Sequence, residues 1–215
     1  PQWFTVTGGA KHYVEKLLQH IPRTHLQTPV KRIERNGSEV RVFTAGGAED
    51  FDGVVLACHA DQALSLLAQP SPQEQALLGA IRYHPNKAVL HRDTSVMPKK
   101  KLAWAAWNYE RAPDLGLESS RVCLHYWINR LQPLPFSDDV IVSLNPVSTI
   151  DPSKVLGEYD YAHPVFDLGA IQAQSQLPSL QGQQNTWYAG AWMGYGFHED
   201  GFKAGRDAAL GILAA

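Results

Sequence analysis

Residues 187–201 read WYAGAWMGYGFHEDG and carry the most informative pattern in the chain. A short apolar strand, Trp187–Ala189, runs into a turn with four glycines, and a helix follows from about Gly201 to Leu213. Backbone N–H groups at a helix start have no intrahelical acceptor and lie at the positive end of the helix dipole. They can hydrogen-bond an anionic or electron-rich ligand, and glycines let such a ligand approach the main chain. The segment is therefore a candidate ligand-binding turn.

Part of this turn looks like a dinucleotide fingerprint. Gly194-Tyr195-Gly196 matches the first half of G-x-G-x-x-G, but Glu199 stands where the third glycine is required. The turn is therefore not a Rossmann fingerprint. A second interpretation stays open, in which the segment is only a tight strand-to-helix turn with Asp200 near the N-cap.

The composition is that of a globular protein with one large domain or two small ones. The chain has 215 residues, 44% of them hydrophobic, and a formal net charge of −2, which argues against nucleic acid as a partner. Apolar runs such as Val54–Cys58 are far shorter than the ~18 residues of a membrane span. The two cysteines, Cys58 and Cys123, form no disulfide framework. We therefore expect a soluble cytoplasmic protein whose partner is a small-molecule substrate.

The N-terminal part of the chain predicts a helix, a hairpin and a buried strand. Gly8-Gly9 precedes an apolar stripe of helical period that a proline ends. Asn36-Gly37 supplies the turn between strand Val30–Arg35 and a strand that returns over residues 40–43. The continuous apolar run of Val54–Cys58 indicates a strand buried on both faces. Two short helices are predicted next, Ala60–Leu67 and Pro72–Ala80.

From residue 86 onward the pattern changes to short aromatic and β-branched runs between turns rich in proline, lysine and aspartate. A helix is then predicted over Asp167–Gln176, before the strand and the glycine turn. Four runs predict one antiparallel sheet in a second subdomain: Asn86–His91, Ala103–Asn108, Val122–Ile128 and Val140–Leu144.

Four segments together resemble the superfamily of FAD-dependent amine oxidases and phytoene desaturases. They are Phe4–Ala10, Pro29–Ile33, Val54–His59 and the closing residues 188–209, which end in Ala204-Gly205-Arg206-Asp207-Ala208-Ala209. Within this superfamily the chain is similar to the bacterial branch of flavin-containing amine oxidases, also described as NAD/FAD-binding proteins. The resemblance covers nearly the whole chain, and the closing glycine motif is its most specific part.

The resemblance implies a mixed α/β (α+β) fold. This fold is the C-terminal part of an FAD/NAD(P)-binding fold with an antiparallel-sheet substrate subdomain. Residues 1–82 and 183–215 are expected to form the FAD-binding portion, and residues 83–182 the substrate subdomain. FAD is the cofactor implied for the complete protein.

The resemblance also implies positions for cofactor contacts. The backbone of Val30 is expected beside the FAD adenine, and Gly190 near the pyrophosphate and ribityl chain. Helix-start amides are expected under the pyrimidine end of the isoalloxazine, pointing into a cleft and not consumed by local hydrogen bonds. Without the resemblance, Val30 would be an ordinary strand valine and Phe197 a core aromatic. The implied cofactor-binding residues are Val30, Gly190, Gly196, Phe197, His198 and Glu199.

Two features differ from the superfamily. Relatives usually have an acidic residue directly after the glycine at position 190, whereas this chain has Ala191-Trp192. The superfamily also begins with a βαβ unit that carries G-x-G-x-x-G, which this sequence does not supply. We therefore expect the C-terminal portion of a longer protein, with FAD absent or weakly held by this chain alone. An apolar face left along Val54–Cys58 and the Tyr188 strand is expected to promote self-association.

Other candidate sites are weaker. The nine histidines include no H-x-x-x-H and the cysteines no C-x-x-C, so no metal site is predicted. Adjacent side chains of a strand point to opposite faces, so Cys58-His59 predicts a packed thiol rather than a nucleophile and its base. Five aromatics predict either a sheet core or a substrate-side wall over the flavin: Trp104, Trp107, Tyr109, Tyr126 and Trp127.

The function that these patterns favour is FAD-dependent oxidation by the complete protein, with a hydride taken from an amine or an aliphatic C–H. In flavin enzymes the cofactor supplies the chemistry and the protein orients the substrate, so no catalytic residue is assigned. Two alternatives stay open. One is a non-catalytic binding module that retains the half-fold, and the other is an NAD(P)-binding dehydrogenase-like protein.

Overall fold

The computed structural model describes residues 4–111 and 123–214. The fold mixes helices with antiparallel sheets, as the sequence predicts. The helices of this part are α1 (Ala10–Leu18), α2 (Ala60–Leu66), α3 (Pro72–Gly79), α4 (Ile128–Leu131), α5 (Leu168–Gln176) and α6 (His198–Ala214). The strands are β1 (Arg32–Arg35), β2 (Val40–Thr44), β3 (Gly47–Phe51), β4 (Val54–Leu56), β5 (Tyr83–His91), β6 (Trp107–Glu110), β7 (Cys123–Trp127), β8 (Ile141–Leu144), β9 (Val155–Pro164) and β10 (Thr186–Tyr188).

The described residues form two compact units, each built from two separate segments. The sheet unit consists of residues 4–24 and 85–162, and the helical unit of residues 25–84 and 163–214. The division of the chain into a cofactor side and a substrate side stays a prediction.

In the helical unit, β1, β2 and β3 form an antiparallel meander. The Asn36-Gly37 turn joins the first two strands, and Gly37 has a φ of +75°, which side chains with a Cβ rarely adopt. The predicted hairpin is confirmed. The sequence did not predict β3, because its residues, GAEDF, are all exposed and show no apolar alternation.

β4 and β10 pair in parallel, with Val55 opposite Trp187. Leu56 is buried while Val55 is 39% exposed, so the prediction of a strand buried on both faces is wrong. The reason is that β4 lies in a two-stranded sheet and only the face that carries Leu56 contacts the core. β10, in contrast, is buried at all three positions, so the Tyr188 strand does not present the exposed apolar face that was expected.

α2 and α3 lie where the sequence predicts them, and α3 begins with a reciprocal cap. Ser71 accepts a hydrogen bond from the Glu74 N–H, and the Glu74 carboxylate accepts one from the Ser71 N–H. Pro72 follows at the first helical position, where its missing N–H costs nothing. In the same way Asp167 caps the predicted helix α5 by accepting from the Ala170 N–H.

The core of the helical unit gathers side chains from both of its segments. Burying a side chain the size of leucine or isoleucine contributes roughly 1.5–3 kcal/mol. The unit therefore needs both segments for its stability. Members of this core come from the first segment (Ile33, Leu56, Leu78) and from the second (Leu177, Tyr188), each at most 5% exposed.

The sheet unit contains α1 and most of a five-stranded sheet with the order β6-β7-β8-β5-β9. The pairs β6–β7, β7–β8 and β5–β8 are antiparallel, as predicted. β6 begins at Trp107 rather than at Ala103, because Lys101–Ala103 forms a 3-10 turn. β9 was not predicted, since Glu158 and Asp160 interrupt its apolar pattern.

The register divides the side chains of β6, β7 and β8 between two faces. Trp107 lies opposite Tyr126, while Asn108 lies opposite His125. His125 in turn lies opposite Ser143 of β8. Because side chains alternate along a strand, one side of the sheet is aromatic and the other carries buried polar groups. We name these sides the aromatic face and the polar face.

α1 is entered through glycines, as predicted. Gly8 and Gly9 have φ angles of +85° and +81°, and the helix ends before Pro22. No residue of α1 is buried, and Leu17 is 60% exposed. Among the residues that the structure describes, no helix has the length and apolar character needed to cross a bilayer.

Candidate cofactor-binding turn

The glycine turn between β10 and α6 is shaped by its own hydrogen bonds. The N–H groups of Gly194 and Gly196 both donate to the Ala191 carbonyl, at 3.1 and 3.0 Å. Gly196 has a φ of +90°, a conformation that favours glycine. The side-chain amide of Gln174 donates to the carbonyls of Trp192 and Gly194. These bonds hold the turn against α5.

Asp200 anchors the start of α6. Its carboxylate accepts hydrogen bonds from the N–H groups of Tyr195 and Phe197, each at 3.0 Å. The expectation that the Phe197 amide is not consumed by a local hydrogen bond is therefore wrong. The physical reason is the spacing, because an acidic side chain three residues after a helix cap can reach back to its N–H. The negative charge also interacts favourably with the helix dipole.

Two glycines of the turn are explained by side chains of the chain itself. A Cβ at Gly190 would be 2.3 Å from the indole nitrogen of Trp192. A Cβ at Gly194 would be 2.6 Å from the carboxyl carbon of Asp200. At these positions glycine makes room for the packing of the turn.

Aromatic side chains are exposed around the same turn. Tyr195 is 71% exposed, Phe197 48% and Phe202 67%. A Cβ at Gly196 would meet the Phe166 ring at 3.8 Å, which is an ordinary contact. The main chain at Gly196 is therefore less crowded than at Gly190 and Gly194. Exposed apolar surface beside a helix start is typical of ligand sites. The turn therefore combines a helix start with exposed aromatic surface.

Most of the predicted cofactor-binding residues share this segment. His198 is the first residue of α6, and Glu199 pairs with Lys203 one turn later, at 3.5 Å. Val30 lies in a different segment, two residues before β1, and is 36% exposed. Their assignment to FAD stays a prediction. The residues that the turn and helix start bring together are Gly190, Gly196, Phe197, His198 and Glu199.

A buried ion pair that the sequence did not predict fixes the strand before the turn. Arg35 of β1 forms a bidentate pair with Glu74 of α3, and the Tyr188 hydroxyl of β10 donates to Glu74 at 2.6 Å. The side chains of Arg35 and Glu74 are each 3% exposed. Burial alone would raise the pKa of Glu74, but hydrogen bonds from Arg35, Tyr188 and the Ser71 N–H lower it to about 2. Burial and the bond to Glu74 raise the pKa of Tyr188.

The aromatic residues of the sheet unit divide into two groups. Trp107 and Tyr109 are each 60% exposed on the aromatic face, and Trp107 contacts Tyr126 edge-on. Trp107 also lines an open cleft of about 670 Å³ within this unit. Trp104 and Trp127 pack edge to face, with ring centroids 5.1 Å apart. The first group is accessible to a ligand, and the second serves packing.

Cys58 and His59 do not form a nucleophile–base pair. Cys58 lies at a bend after β4 and packs its free thiol against the core, as expected. Burial raises the pKa of this thiol. The His59 ring instead stacks on Tyr83, with ring centroids 4.3 Å apart.

A family model described as flavin containing amine oxidoreductase matches residues 1–144. The chain belongs to this family. None of the curated proteins matches the sequence of this amine oxidoreductase family member.

The fold of this family member is similar to solved structures of low sequence identity. The CLA-producing fatty acid isomerase from P. acnes has a TM-score of 0.62 at 17% identity, covering 94% of this chain and 51% of that one. A triple mutant of putrescine oxidase has a TM-score of 0.64 at 12% identity, covering 97% and 53%. Cyclohexylamine oxidase from Brevibacterium oxydans IH-35A has a TM-score of 0.58 at 15% identity, covering 95% and 52%. The chain thus spans about half the length of these structures.

Proposed function

We propose that the complete protein is an FAD-dependent oxidoreductase that takes a hydride from an amine or an aliphatic C–H. The observation that supports this most strongly is the family match, because residues 1–144 include segments of both units. The structures of similar fold include a fatty acid isomerase as well as amine oxidases. We therefore keep both an amine and a C–H substrate in the proposal.

The helical unit supplies the cofactor side in this proposal. FAD, when bound, supplies the hydride acceptor. The start of α6, at His198 and Glu199, would hold the pyrimidine end of the isoalloxazine, where the helix dipole favours electron-rich oxygen atoms. Phe197 would flank the substrate, Gly190 would contact the pyrophosphate and ribityl chain, and Val30 the adenine. The family match supports the role of Val30, and the exposed aromatic rings around the turn support the roles of the others.

Two further groups have supporting roles. Asp200 is a positioning residue, because its carboxylate holds two N–H groups of the turn in one geometry. We expect the exposed rings of Trp107 and Tyr109 to contact the substrate.

The test of this function uses the complete protein. We expect the purified protein to show flavin absorbance, and the flavin to bleach on anaerobic mixing with one member of a panel of amines and unsaturated fatty acids. A folded complete protein that carries no flavin and takes up none from added FAD would refute the proposal. Binding of NAD(P)H in place of FAD would favour the dehydrogenase-like alternative. The 215-residue chain alone is expected to retain little FAD, since it has no G-x-G-x-x-G cradle.

A single substitution tests the glycine turn itself. Gly196→Val in the complete protein adds a β-branched side chain at a φ of +90°, so we expect FAD to bind at least tenfold more weakly. Gly205→Ala is the matched control, because a Cβ at Gly205 meets nothing within 4 Å. Circular dichroism must show that both variants fold. Unchanged FAD affinity in a folded Gly196→Val protein would remove the turn from the cofactor site.

A further inference from the structure

The polar face of the sheet unit gathers three metal-ligand side chains that the flavin proposal does not use. Cys123 and His125 are two residues apart on β7 and share one face, and Glu110 of β6 lies directly opposite Cys123. His125 Nε2 is 2.9 Å from Glu110 Oε2 and 3.6 Å from Cys123 Sγ. Sγ and Oε2 are 3.6 Å apart. A nitrogen, a sulfur and an oxygen therefore converge on one point.

The spacing of these atoms matches a tetrahedral zinc site. With Zn–S near 2.3 Å and Zn–N and Zn–O of about 2.0–2.2 Å, neighbouring ligand atoms are separated by about 3.3–3.6 Å. Both distances to sulfur lie at this value. The shorter separation of Glu110 and His125 is that of a hydrogen bond and has to widen by about 0.4 Å. The Glu110 side chain is 26% exposed and has room for this adjustment.

Each of the three ligands is also held from behind by a hydrogen bond. The backbone of Val147 donates to the cysteine sulfur. The Ser148 hydroxyl donates to the glutamate Oε1 and leaves Oε2 for a cation. Ser143 Oγ lies 2.6 Å from the histidine Nδ1, which directs Nε2 toward the other two ligands. Outer hydrogen bonds of this kind orient metal ligands and select the histidine tautomer.

We propose that Glu110, Cys123 and His125 bind one Zn²⁺ ion, with water as the fourth ligand. Cys123 and His125 are at most 1% exposed, and the partly exposed carboxylate provides the side from which the ion and its water enter. One thiolate and one carboxylate balance the divalent cation, so the occupied site is neutral. Three protein ligands with an open fourth position is a coordination that zinc commonly adopts.

Binding of the ion releases one proton. Burial raises the pKa of the Cys123 thiol to about 11, so the sulfur is protonated without a cation. When the S–Zn bond forms, that proton leaves to solvent.

The histidine tautomer changes at the same time. The Asp93 N–H donates to His91 Nδ1, so a neutral His91 donates from Nε2 to Ser143 Oγ. The Ser143 hydroxyl then donates to His125 Nδ1, and His125 donates from Nε2 to Glu110. With zinc on Nε2, the His125 proton lies on Nδ1 and is donated to Ser143 Oγ, so the Ser143 hydroxyl hydrogen turns away from this ring.

The test uses the complete protein, expressed without a polyhistidine tag, stripped with a chelator and titrated with Co²⁺ as a coloured probe. We expect one equivalent of Co²⁺ to produce a thiolate-to-metal charge-transfer band, and Zn²⁺ to abolish it by displacement. NMR of the ring nitrogens of His125 should show its proton on Nδ1 in the zinc form. A wild-type protein that gives no thiolate band refutes the proposal.

Three variants separate this site from the histidines elsewhere in the chain. Cys123→Ala should lose the band and bind Zn²⁺ at least tenfold more weakly, and the partly exposed Glu110→Gln should keep the band with weakened affinity. Cys58→Ala, which removes the other thiol of this chain, should leave the charge-transfer band and the zinc affinity unchanged. A band or a zinc affinity that persists unaltered in folded Cys123→Ala overturns the proposal. The flavin content of the same samples is an independent readout, so either proposal can fail without the other.

Discussion

Replacing Glu74 by glutamine tests how the helical unit is held together. The substitution keeps the shape of the side chain but removes its charge, so the Arg35 guanidinium stays buried without a counter-ion. It also places an amide NH₂ group where the carboxylate accepted hydrogen bonds from Arg35, Tyr188 and the Ser71 N–H. Breaking a buried pair by removing one partner costs about 3–5 kcal/mol.

The pKa of Glu74 gives a second way to calculate the stability that is lost in Glu74→Gln. It falls from 4.5 to about 2 in the folded protein. Since each pKa unit corresponds to ~1.36 kcal/mol, ionised Glu74 contributes about 3 kcal/mol of stability at neutral pH. We therefore expect Glu74→Gln to lower the free energy of unfolding by about 3 kcal/mol, measured by urea titration followed by circular dichroism.

The contribution of Glu74 also has a defined pH window. Between pH 4.5 and about 2 the unfolded chain binds a proton at this side chain and the folded chain does not. Stability from Glu74 is therefore fully present above pH 4.5 and is lost as the pH falls toward 2. Glutamine does not titrate, so the difference between wild type and variant should shrink over this window.

Asp50→Asn is the matched control, because Asp50 forms the same kind of bidentate pair with Arg41 on the exposed surface of the meander. Solvent screens this pair, and we expect a much smaller loss of stability. If Glu74→Gln and Asp50→Asn destabilise the protein equally at neutral pH, the buried pair does not hold the unit together as we argue.

Four further outcomes are expected. Asp200→Ala removes the acceptor of two turn N–H groups and should lower the free energy of unfolding by about 1 kcal/mol. A urea titration measures this loss, and an unchanged value would contradict the anchoring role of Asp200. Gly53→Ala places a Cβ 2.9 Å from the Trp187 ring and should cost about 1–3 kcal/mol with altered tryptophan fluorescence. Gly205→Ala, with open space around the new Cβ, should leave the free energy of unfolding unchanged or raise it. If Gly53→Ala and Gly205→Ala lose the same stability, crowding at Trp187 is disproved. Exposed apolar side chains should make the 215-residue chain self-associate, so light scattering that reports a monomer at every concentration would count against this expectation.

Elements that depend on near neighbours in sequence were predictable. Asn36-Gly37 determines its hairpin through the φ > 0 turn, and Pro72 marks a helix start whatever surrounds it. Burial was less predictable, because it depends on how many strands flank a run. Val55 belongs to an apolar run, but its strand has one partner and one open face.

In the candidate sites, too, local features were predictable and long-range contacts were not. The position of the glycine turn was predicted. The hydrogen bond that the Phe197 N–H donates to Asp200 was not, although the three-residue spacing of such a helix cap is present in the sequence. The bond from Tyr188 to Glu74 joins residues 114 positions apart, and no local pattern indicates it.

The polar cluster had one signal in the sequence. Cys123 and His125 lie two residues apart on a predicted strand, which places both side chains on one face. Glu110 enters only through the register of β6 against β7. A search for i, i+2 ligand pairs on strands would have found two of the three residues.

The order in which the two segments of the helical unit leave the ribosome has a consequence for folding in the cell. Ile33, Leu56 and Leu78 are synthesised before the whole second segment of the sheet unit, and Leu177 and Tyr188 come after it. Part of one core is therefore exposed on the nascent chain until residues 163–214 have been synthesised, which makes it a target for chaperones and proteases. The sheet strands of residues 85–162 are contiguous and can pair first. Expression yield should thus depend on how quickly residues 163–214 follow, since long-range contacts close slowly.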